Sequence, residues 1–444
     1  MNAKPGRPRL LRELNDRAAL ELLGSSGALT RSQVSEMTGL SKVTASHVLS
    51  RLEERGLVVR AGVQEGGRGP SAVLYGLDPS CGYVIGMEVY LDTTAAVLAD
   101  ITGRVLAETT IPTEVAVDPA EAVDAVVTRL TLDAQVDRAR VRECVIGLPG
   151  AIDPATGDIR FCYDLPAWCG NVVEALHRRT GLPVTIDNDV NLAATAERAL
   201  GAASGAGSFV LLWIGRGPGS AVMVGDQLLR GTAGAAGELG WMPVPGAAVS
   251  DGGFDPGRHE VGAAFQALVG WRAVRELAGR HGIAAESAAL SVAAAVGSVT
   301  AAEGNTRKAA ASEGGAAGAA EGVTTAAETA GGVTTAAGTA GGAAGAGTAG
   351  GAAGAAFLDE LARRIALGVA SICSVLDPEL VVLGSDVGAA GGDELAGRVQ
   401  RAVAGMCLAR PRVEPSRISV RPVVRGALLV AVEQARRRVF FGDL

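Results

Sequence analysis

The chain has 444 residues, 48% of them hydrophobic, and a formal net charge of −7, which suits two or three domains with apolar cores. No stretch has the composition of a membrane span or a signal peptide, and the six cysteines form no CxxC pair. We therefore expect a cytoplasmic protein with no membrane partner, no zinc ribbon and no disulfide framework.

The first 76 residues are predicted to form helices and are basic, with eleven Lys and Arg against seven Asp and Glu. Residues 10–23 have helical apolar spacing, and Thr30 with Gln33 makes a capping-box pattern for a second helix that stops at Gly39. Ser41 is predicted to cap a third helix. The core-facing stripe of this helix consists of Ala45, Val48, Leu49 and Leu52.

The opposite face of the third helix is mostly short and polar and carries Lys42, Val43, Thr44, Ser46 and His47. Two strands follow around a glycine-rich tip, at which Arg68 is a candidate for minor-groove or phosphate contact. Because these cues agree, we prefer a winged helix-turn-helix at residues 1–78, with double-stranded operator DNA as partner, over a helical subdomain with a loop. The predicted DNA-binding residues are Ser41, Lys42, Thr44, Ser46, His47 and Arg68.

From Pro79 onward, strands alternate with helices, which predicts an α/β fold. The first hairpin, VIGMEVYLDTTAAVLAD, bends at Tyr90, Leu91 and Asp92. Phosphate-binding turns need glycines, because backbone N–H groups must approach the anion closely. A second loop at 215–219 is rich in glycine, but such a loop is also typical of a simple hairpin turn.

Several motifs resemble, in order, those of the ROK family of repressors, open reading frames and sugar kinases. They are VIGLPGAIDPATGDI, DLPAW, TGLPVTIDNDVNLAATAE, LLRGTAGAAGELGWMPV and LDPELVVLGS. The resemblance runs from about Gly82 to the C-terminus apart from one insertion, and the wing motif GGRGP resembles the repressor branch. It implies, over residues 79–444, a two-lobed actin-like domain of the sugar kinase/heat-shock ATPase type, with a sugar bound between the lobes.

In the family's kinases, an Asp-x-Gly-Gly-Thr loop in the first hairpin holds phosphate. By this resemblance Glu88 stands at the Asp, Tyr90 and Leu91 stand at the glycines, and Asp92 stands at the Thr. The two bulky side chains block close approach and Asp92 repels an anion, so the ATP site is predicted to be lost. We expect no catalytic residue and no enzyme, although Asp189 occupies the family's general-base position.

The resemblance also implies which residues contact a sugar. Asn188 and Glu238 match sugar-contacting residues of the family, and Glu260 matches a second Glu in a looser alignment. For Asp189 the alternative is an N-cap of the following helix. Asp164 replaces an Asn common before the family's LPGW motif. The predicted ligand-binding residues are Asn188, Asp189, Glu238, Trp241, Glu260 and Asp164.

The family's structural zinc site has lost its ligands in this sequence. Trp241 replaces the family's His, and residues 243–260 contain no cysteine, with His259 the only imidazole among them. Zinc needs several thiolate or imidazole ligands at close spacing. We therefore predict no zinc and no other cofactor, and Trp241 either stacks on a sugar or fills the space that the zinc module left.

Residues 283–356 form a low-complexity Ala, Gly and Thr tract, in which VTTAAETAGG is followed by VTTAAGTAGG. Its first part, to about Gly304, is compatible with a helix because alanine favours helix. The remainder buries too little apolar area to offset its ordering entropy, so we predict a disordered surface insertion.

These features predict a ROK-family transcriptional repressor that binds its operator as a homodimer or homotetramer and responds to a sugar effector. Two alternatives stay open at this point. One is an ATP-dependent sugar kinase with a fused DNA-binding domain, and the other is a DNA-binding protein whose second domain binds no ligand and serves oligomerisation.

Overall fold

The computed structural model describes residues 8–64, 71–113, 118–162, 164–244, 264–316 and 340–442. The chain divides into two compact units. The first comprises residues 1–196, 232–234 and 421–444, and the second comprises residues 197–231 and 235–420. Across the described ranges, no helix combines the length and the apolar character that crossing a bilayer requires.

The predicted winged helix opens the first unit. Its elements are α1 (Pro8–Ser26), β1 (Leu29–Thr30), α2 (Arg31–Thr38), α3 (Lys42–Glu54), β2 (Val58–Gln64) and β3 (Ala72–Leu77). The three strands pair in the antiparallel order β1-β3-β2. The capping box of Thr30 and Gln33, the stop at Gly39 and the Ser41 cap are all present, which confirms these local predictions.

The rest of the first unit is built on a five-stranded sheet in the order β10-β7-β4-β5-β6. Its elements are β4 (Tyr83–Val89), β5 (Thr93–Asp100), β6 (Val105–Pro112), α4 (Pro119–Asp133), β7 (Val141–Leu148), β8 (Ala151–Ile152), β9 (Ile159–Phe161), α5 (Val172–Thr180), β10 (Val184–Asn188) and α6 (Asp189–Leu200). The strands β4, β7 and β10 run parallel, whereas β4, β5 and β6 form an antiparallel meander. The predicted first hairpin is therefore confirmed.

The second unit also has a five-stranded sheet, in the order β13-β12-β11-β14-β15. Its elements are β11 (Ser208–Ile214), β12 (Pro218–Val224), β13 (Gln227–Leu228), α7 (Gln266–Val269), α8 (Trp271–Arg280), α9 (Ala288–Ala316), α10 (Ala340–Leu376), β14 (Leu380–Gly384), α11 (Ser385–Ala404) and β15 (Arg412–Pro415). The last helix, α12 (Pro422–Phe441), returns to the first unit. The α/β class predicted from the sequence is confirmed.

The low-complexity tract is more ordered than its composition predicts. Helix α9 continues to Ala316 and helix α10 begins at Ala340, so the prediction of disorder was wrong at both ends; residues 317–339 lie outside the described residues. One face of α9 is buried in the same core as Phe357, because its apolar residues recur at helical spacing. These buried residues are Ala288, Val292, Ala295 and Val299.

Candidate functional site

The first candidate site is the outward face of α3 in the winged helix. Ser41, Lys42 and His47 are exposed, whereas Thr44 and Ser46 are half-buried. The Ser41 hydroxyl accepts the Thr44 N–H at 3.1 Å and lies 2.8 Å from the Thr44 hydroxyl. The structure thus brings five predicted residues together on one helix, with the Ser41 and Thr44 hydroxyls bonded to each other.

A buried carboxylate holds α3 against α1. The Asp16 side chain is only 11% exposed, and its oxygens accept hydrogen bonds from Arg51, one of them at 3.1 Å, and from Arg55 at 3.5 Å. The hydrogen bond to Asp16 raises the pKa of the Arg51 guanidinium above its ordinary value. Sequence analysis missed Asp16; its only signal is its helical spacing with the buried Ala19, Leu20 and Leu23, which neither of the other two acidic residues of α1 shares.

Replacing Asp16 with alanine should loosen α3. We expect the free energy of unfolding to fall by about 2 kcal/mol. This is less than the cost of breaking a fully buried ion pair, because both arginines are partly exposed. Hydrogen–deuterium exchange of the α3 amides in the full chain should then accelerate about 30-fold. Glu53→Ala, which breaks only the exposed pair with Arg60, is the control and should change exchange little. Equal exchange in Asp16→Ala and wild type would contradict the assigned role.

No residue at the bend of the first hairpin has the left-handed backbone conformation. The N–H of Tyr90 donates to the carbonyl of Thr93 at 3.0 Å and closes the turn between β4 and β5. Positive φ angles are confined to other positions of the described chain, so the backbone here does not need glycine. Leu91 packs against the apolar core of the first unit. The side chains at this bend therefore belong to an ordinary, filled hairpin turn.

The second candidate site lies where β10 ends and α6 begins. The Asn188 Nδ2 donates to the carbonyl of Gly150 at 3.0 Å, and its Oδ1 accepts the N–H of Asn191 at 3.1 Å. Asn188 is therefore the residue that caps α6, so the alternative role of Asp189 as N-cap is wrong. The Asp189 carboxylate accepts the N–H of Val190 at 2.9 Å instead.

Asp189 sits in a nearly closed environment and is 7% exposed. Burial raises the pKa of its carboxyl to about 6, and the charge of Asp187 adds to this effect. Burial also raises the pKa of the Cys162 thiol to about 12, with a smaller contribution from the charges of Asp164 and Asp189. Two of the four predicted ligand carboxylates, Asp164 and Asp189, therefore lie in the neighbourhood of Cys162 in the first unit.

Two further predicted ligand residues, Glu238 and Trp241, belong to a short 3-10 turn in the second unit and are half-buried. The backbone before them is fixed, because the carbonyl of Gly237 accepts the N–H of Ser220 at 2.8 Å. Glu260, like Arg68 and His259, lies outside the described residues. Among the side chains that are described, no three His, Cys, Asp or Glu residues form a metal-binding group. The assignments of these ligand residues and the predicted absence of zinc stay predictions.

The winged helix is followed by two five-stranded α/β sheets, and comparison with known proteins finds a family match for both parts. Residues 84–298 match the ROK family, and residues 14–69 match the MarR family. The chain therefore contains a ROK family domain, which a MarR-like winged helix precedes.

Two curated relatives illustrate the sequence similarity. The xylose repressor of Caldicellulosiruptor bescii is 26% identical over 53% of this chain and 60% of its own length. The DNA-binding transcriptional dual regulator NagC of Escherichia coli is 25% identical over 54% of this chain and 60% of its own length. The chain thus spans about three fifths of the length of the curated relatives it matches.

Solved structures support the fold. A ROK family transcriptional regulator, a homologue of the E. coli MLC protein, aligns over 97% of both chains with a TM-score of 0.65 and 18% identity. A ROK family glucokinase from Streptomyces griseus, in complex with glucose and AMPPNP, aligns over 79% of this chain and all of its own, with a TM-score of 0.53 and 22% identity. At these identities the likeness establishes the fold alone.

Proposed function

We propose that this chain is a transcriptional repressor whose winged helix binds operator DNA and whose ROK domain binds a sugar or sugar derivative. One observation carries the proposal: the same chain has an exposed polar face on α3, suited to DNA recognition, and a ROK domain. That domain retains Asn188, Asp189 and Glu238. Carboxylate oxygens suit a sugar because each accepts hydrogen bonds from neighbouring hydroxyls. The names of the two curated relatives agree with this function.

The same proposal makes the ROK domain a binding module and not a kinase. The filled turn at Tyr90, Leu91 and Asp92 supports this, because it offers no glycine backbone to a phosphate and adds a like charge. We also propose that folding and ligand binding need no zinc, since Trp241 and the cysteine-free segment replace the zinc ligands. A homodimer or homotetramer would present two or more winged helices to a symmetric operator.

A continuous set of contacts within the first unit connects the ligand residues to the winged helix. Helix α6 begins at Asp189, and a Cβ added to Gly426 of α12 would lie 1.8 Å from the carbonyl oxygen of Leu192, so α6 and α12 are in close backbone contact. At the other end of α12, the Arg55 guanidinium of the winged helix donates to the Phe440 carbonyl at 3.3 Å. Arg17 also stacks on the Phe441 ring at 4.9 Å.

This arrangement supports a simple coupling. A ligand that binds Asp189 preferentially in one conformation of α6 increases the population of that conformation. Because α12 contacts both α6 and Arg55, the change in α6 is transmitted through α12 to the winged helix. The shift in operator affinity cannot exceed the difference in ligand affinity between the two conformations. Typical couplings correspond to a change of about 5- to 150-fold.

The test begins with the full chain and a random duplex library, from which bound DNA is selected. Affinity for the selected duplex is then measured by fluorescence anisotropy with pentoses, hexoses, N-acetylated amino sugars and sugar phosphates. We expect one class to change the Kd at least fivefold. Asp189→Asn and Glu238→Ala should abolish this response while the affinity for DNA without sugar stays the same. Glu174→Gln, which alters an exposed carboxylate of α5, is the control and should respond as wild type does.

Other outcomes separate the alternatives. If no duplex is enriched, the DNA-binding proposal fails. If DNA binds but neither the sugars nor Glu238→Ala change its affinity, the second domain serves oligomerisation only. If ATP with magnesium raises the melting temperature and a phosphorylated sugar accumulates, the chain is a kinase and the interpretation of the hairpin is wrong.

A further inference from the structure

One apolar side chain interrupts the polar face of α3. Val43 is 65% exposed, although it is β-branched and lies in the first turn of a helix. A β-branched residue has a lower helix propensity than alanine, and an exposed one buries little area to offset that cost. Val43 therefore contributes little to the folded state of the isolated chain and is accessible to an external partner.

The direction of Val43 is fixed by the buried stripe of α3. At about 100° per residue, Val43 points roughly 160° away from Ala45, which is fully buried. His47 lies one turn further along the same outward face and is exposed, and Ser46 is half-buried beside it. Val43 is thus an isolated methyl-bearing group, surrounded by side chains that can form hydrogen bonds, at the N-terminal end of the recognition helix.

The neighbouring hydroxyls are less available than they appear in the sequence. The Ser41 and Thr44 hydroxyls bond to each other, and the Ser41 hydroxyl also accepts the backbone N–H of Thr44, so both hydroxyls are part of the cap of α3. In major-groove recognition, the N-terminal residues of this helix contact the base edges. The one apolar feature on those edges is the C5-methyl group of thymine, which is contacted by small apolar side chains.

We propose that Val43 is a specificity-determining residue that recognises the C5-methyl group of one thymine in each operator half-site. This inference rests on the proposed DNA-binding function and assigns a base type to one position of the recognition helix. Lys42, beside it, supplies positive charge toward the phosphate backbone, and such contacts position the helix without selecting a sequence.

The experiment uses the full chain and the duplex selected from the random library. Each conserved thymine is replaced in turn by deoxyuridine, which removes the C5-methyl group and nothing else. For the wild-type protein we expect one position per half-site at which the replacement weakens binding about fourfold, as for one buried methyl group. Val43→Ala should bind the thymine duplex correspondingly more weakly and should be insensitive to deoxyuridine at that position.

Val224→Ala is the matched control, because Val224 is 59% exposed but lies in the second unit, and it should retain the fourfold effect. Circular dichroism should show unchanged helix content in Val43→Ala. The inference is overturned if no thymine is sensitive in the wild type, or if Val43→Ala keeps the same sensitivity. Failure to enrich any duplex would instead overturn the proposed function, so the two failures are distinct.

Discussion

Replacing Gly150 with alanine is expected to destabilise the first unit by about 3 kcal/mol and to remove its response to ligand. Gly150 has a φ of 131°, and a Cβ added there would lie 2.3 Å from the carbonyl oxygen of Phe161. That oxygen belongs to the backbone of β9, so the clash can be relieved only by moving a strand. Because the Gly150 carbonyl accepts the amide of Asn188, such a movement would also displace the predicted sugar contact.

Gly157 provides a matched control in the same segment. It also has a positive φ, of 75°, but no atom lies within 4 Å of an added Cβ. Gly157→Ala should therefore cost only about 1 kcal/mol of left-handed strain and leave the ligand response intact. Urea unfolding followed by circular dichroism, together with operator binding in the presence of the effector, measures both effects. Equal losses in the two variants would show that the contact with Phe161 is unimportant.

The features that sequence analysis predicted correctly depend on neighbours in the chain. The capping box of Thr30 and Gln33 and the Ser41 cap are made by residues three positions apart, so their chemistry is visible in a short window. The hairpin of β4 and β5 and the alternation of strands with helices are likewise local patterns. Family motifs added the proposal that Asn188 and Asp189 bind a ligand, which periodicity alone would not single out and which stays a prediction.

The features that were missed depend on residues that are distant in sequence. Asp16 meets Arg51 across 35 positions, and Arg55 meets Phe440 across 385. Composition likewise could not show that the alanine-rich helix α9 packs one face into the core around Phe357. The exposure of Val43 follows from the helical register, but its significance appears only when the Ser41 and Thr44 hydroxyls are seen to be paired.

A buried carboxylate beneath α12 should make the first unit less stable as the pH rises. Glu143 of β7 is fully buried, and its Oε1 accepts the Thr185 hydroxyl at 3.0 Å. The Arg438 Nη1 lies 3.0 Å from Oε2 but does not make a hydrogen bond with it. Burial raises the pKa of Glu143 to about 7, and the positive charge of Arg438 opposes this rise only in part.

The sign of the effect follows from where the proton is held. The folded state keeps the Glu143 proton up to about pH 7, whereas an unfolded chain releases it near its ordinary value of 4.5. The stabilising contribution is therefore complete below pH 4.5 and is lost as the pH rises through 7. Between pH 5 and 8 the free energy of unfolding should fall by about 2 to 3 kcal/mol through this residue.

Glu143→Gln should remove this dependence, because an amide cannot ionise and can still accept the Thr185 hydroxyl. The variant should match the wild type near pH 5 and be more stable by about 2 to 3 kcal/mol at pH 8, as measured by urea unfolding. Glu174→Gln, on the exposed face of α5, should keep the wild-type slope. Parallel wild-type and Glu143→Gln curves would mean that Glu143 stays ionised when folded, fully stabilised by Arg438. Helix α12 also contacts the winged helix through Arg55. In the wild type, ionisation of Glu143 should therefore weaken the contacts between α12 and the winged helix, whereas in Glu143→Gln these contacts should not change with pH.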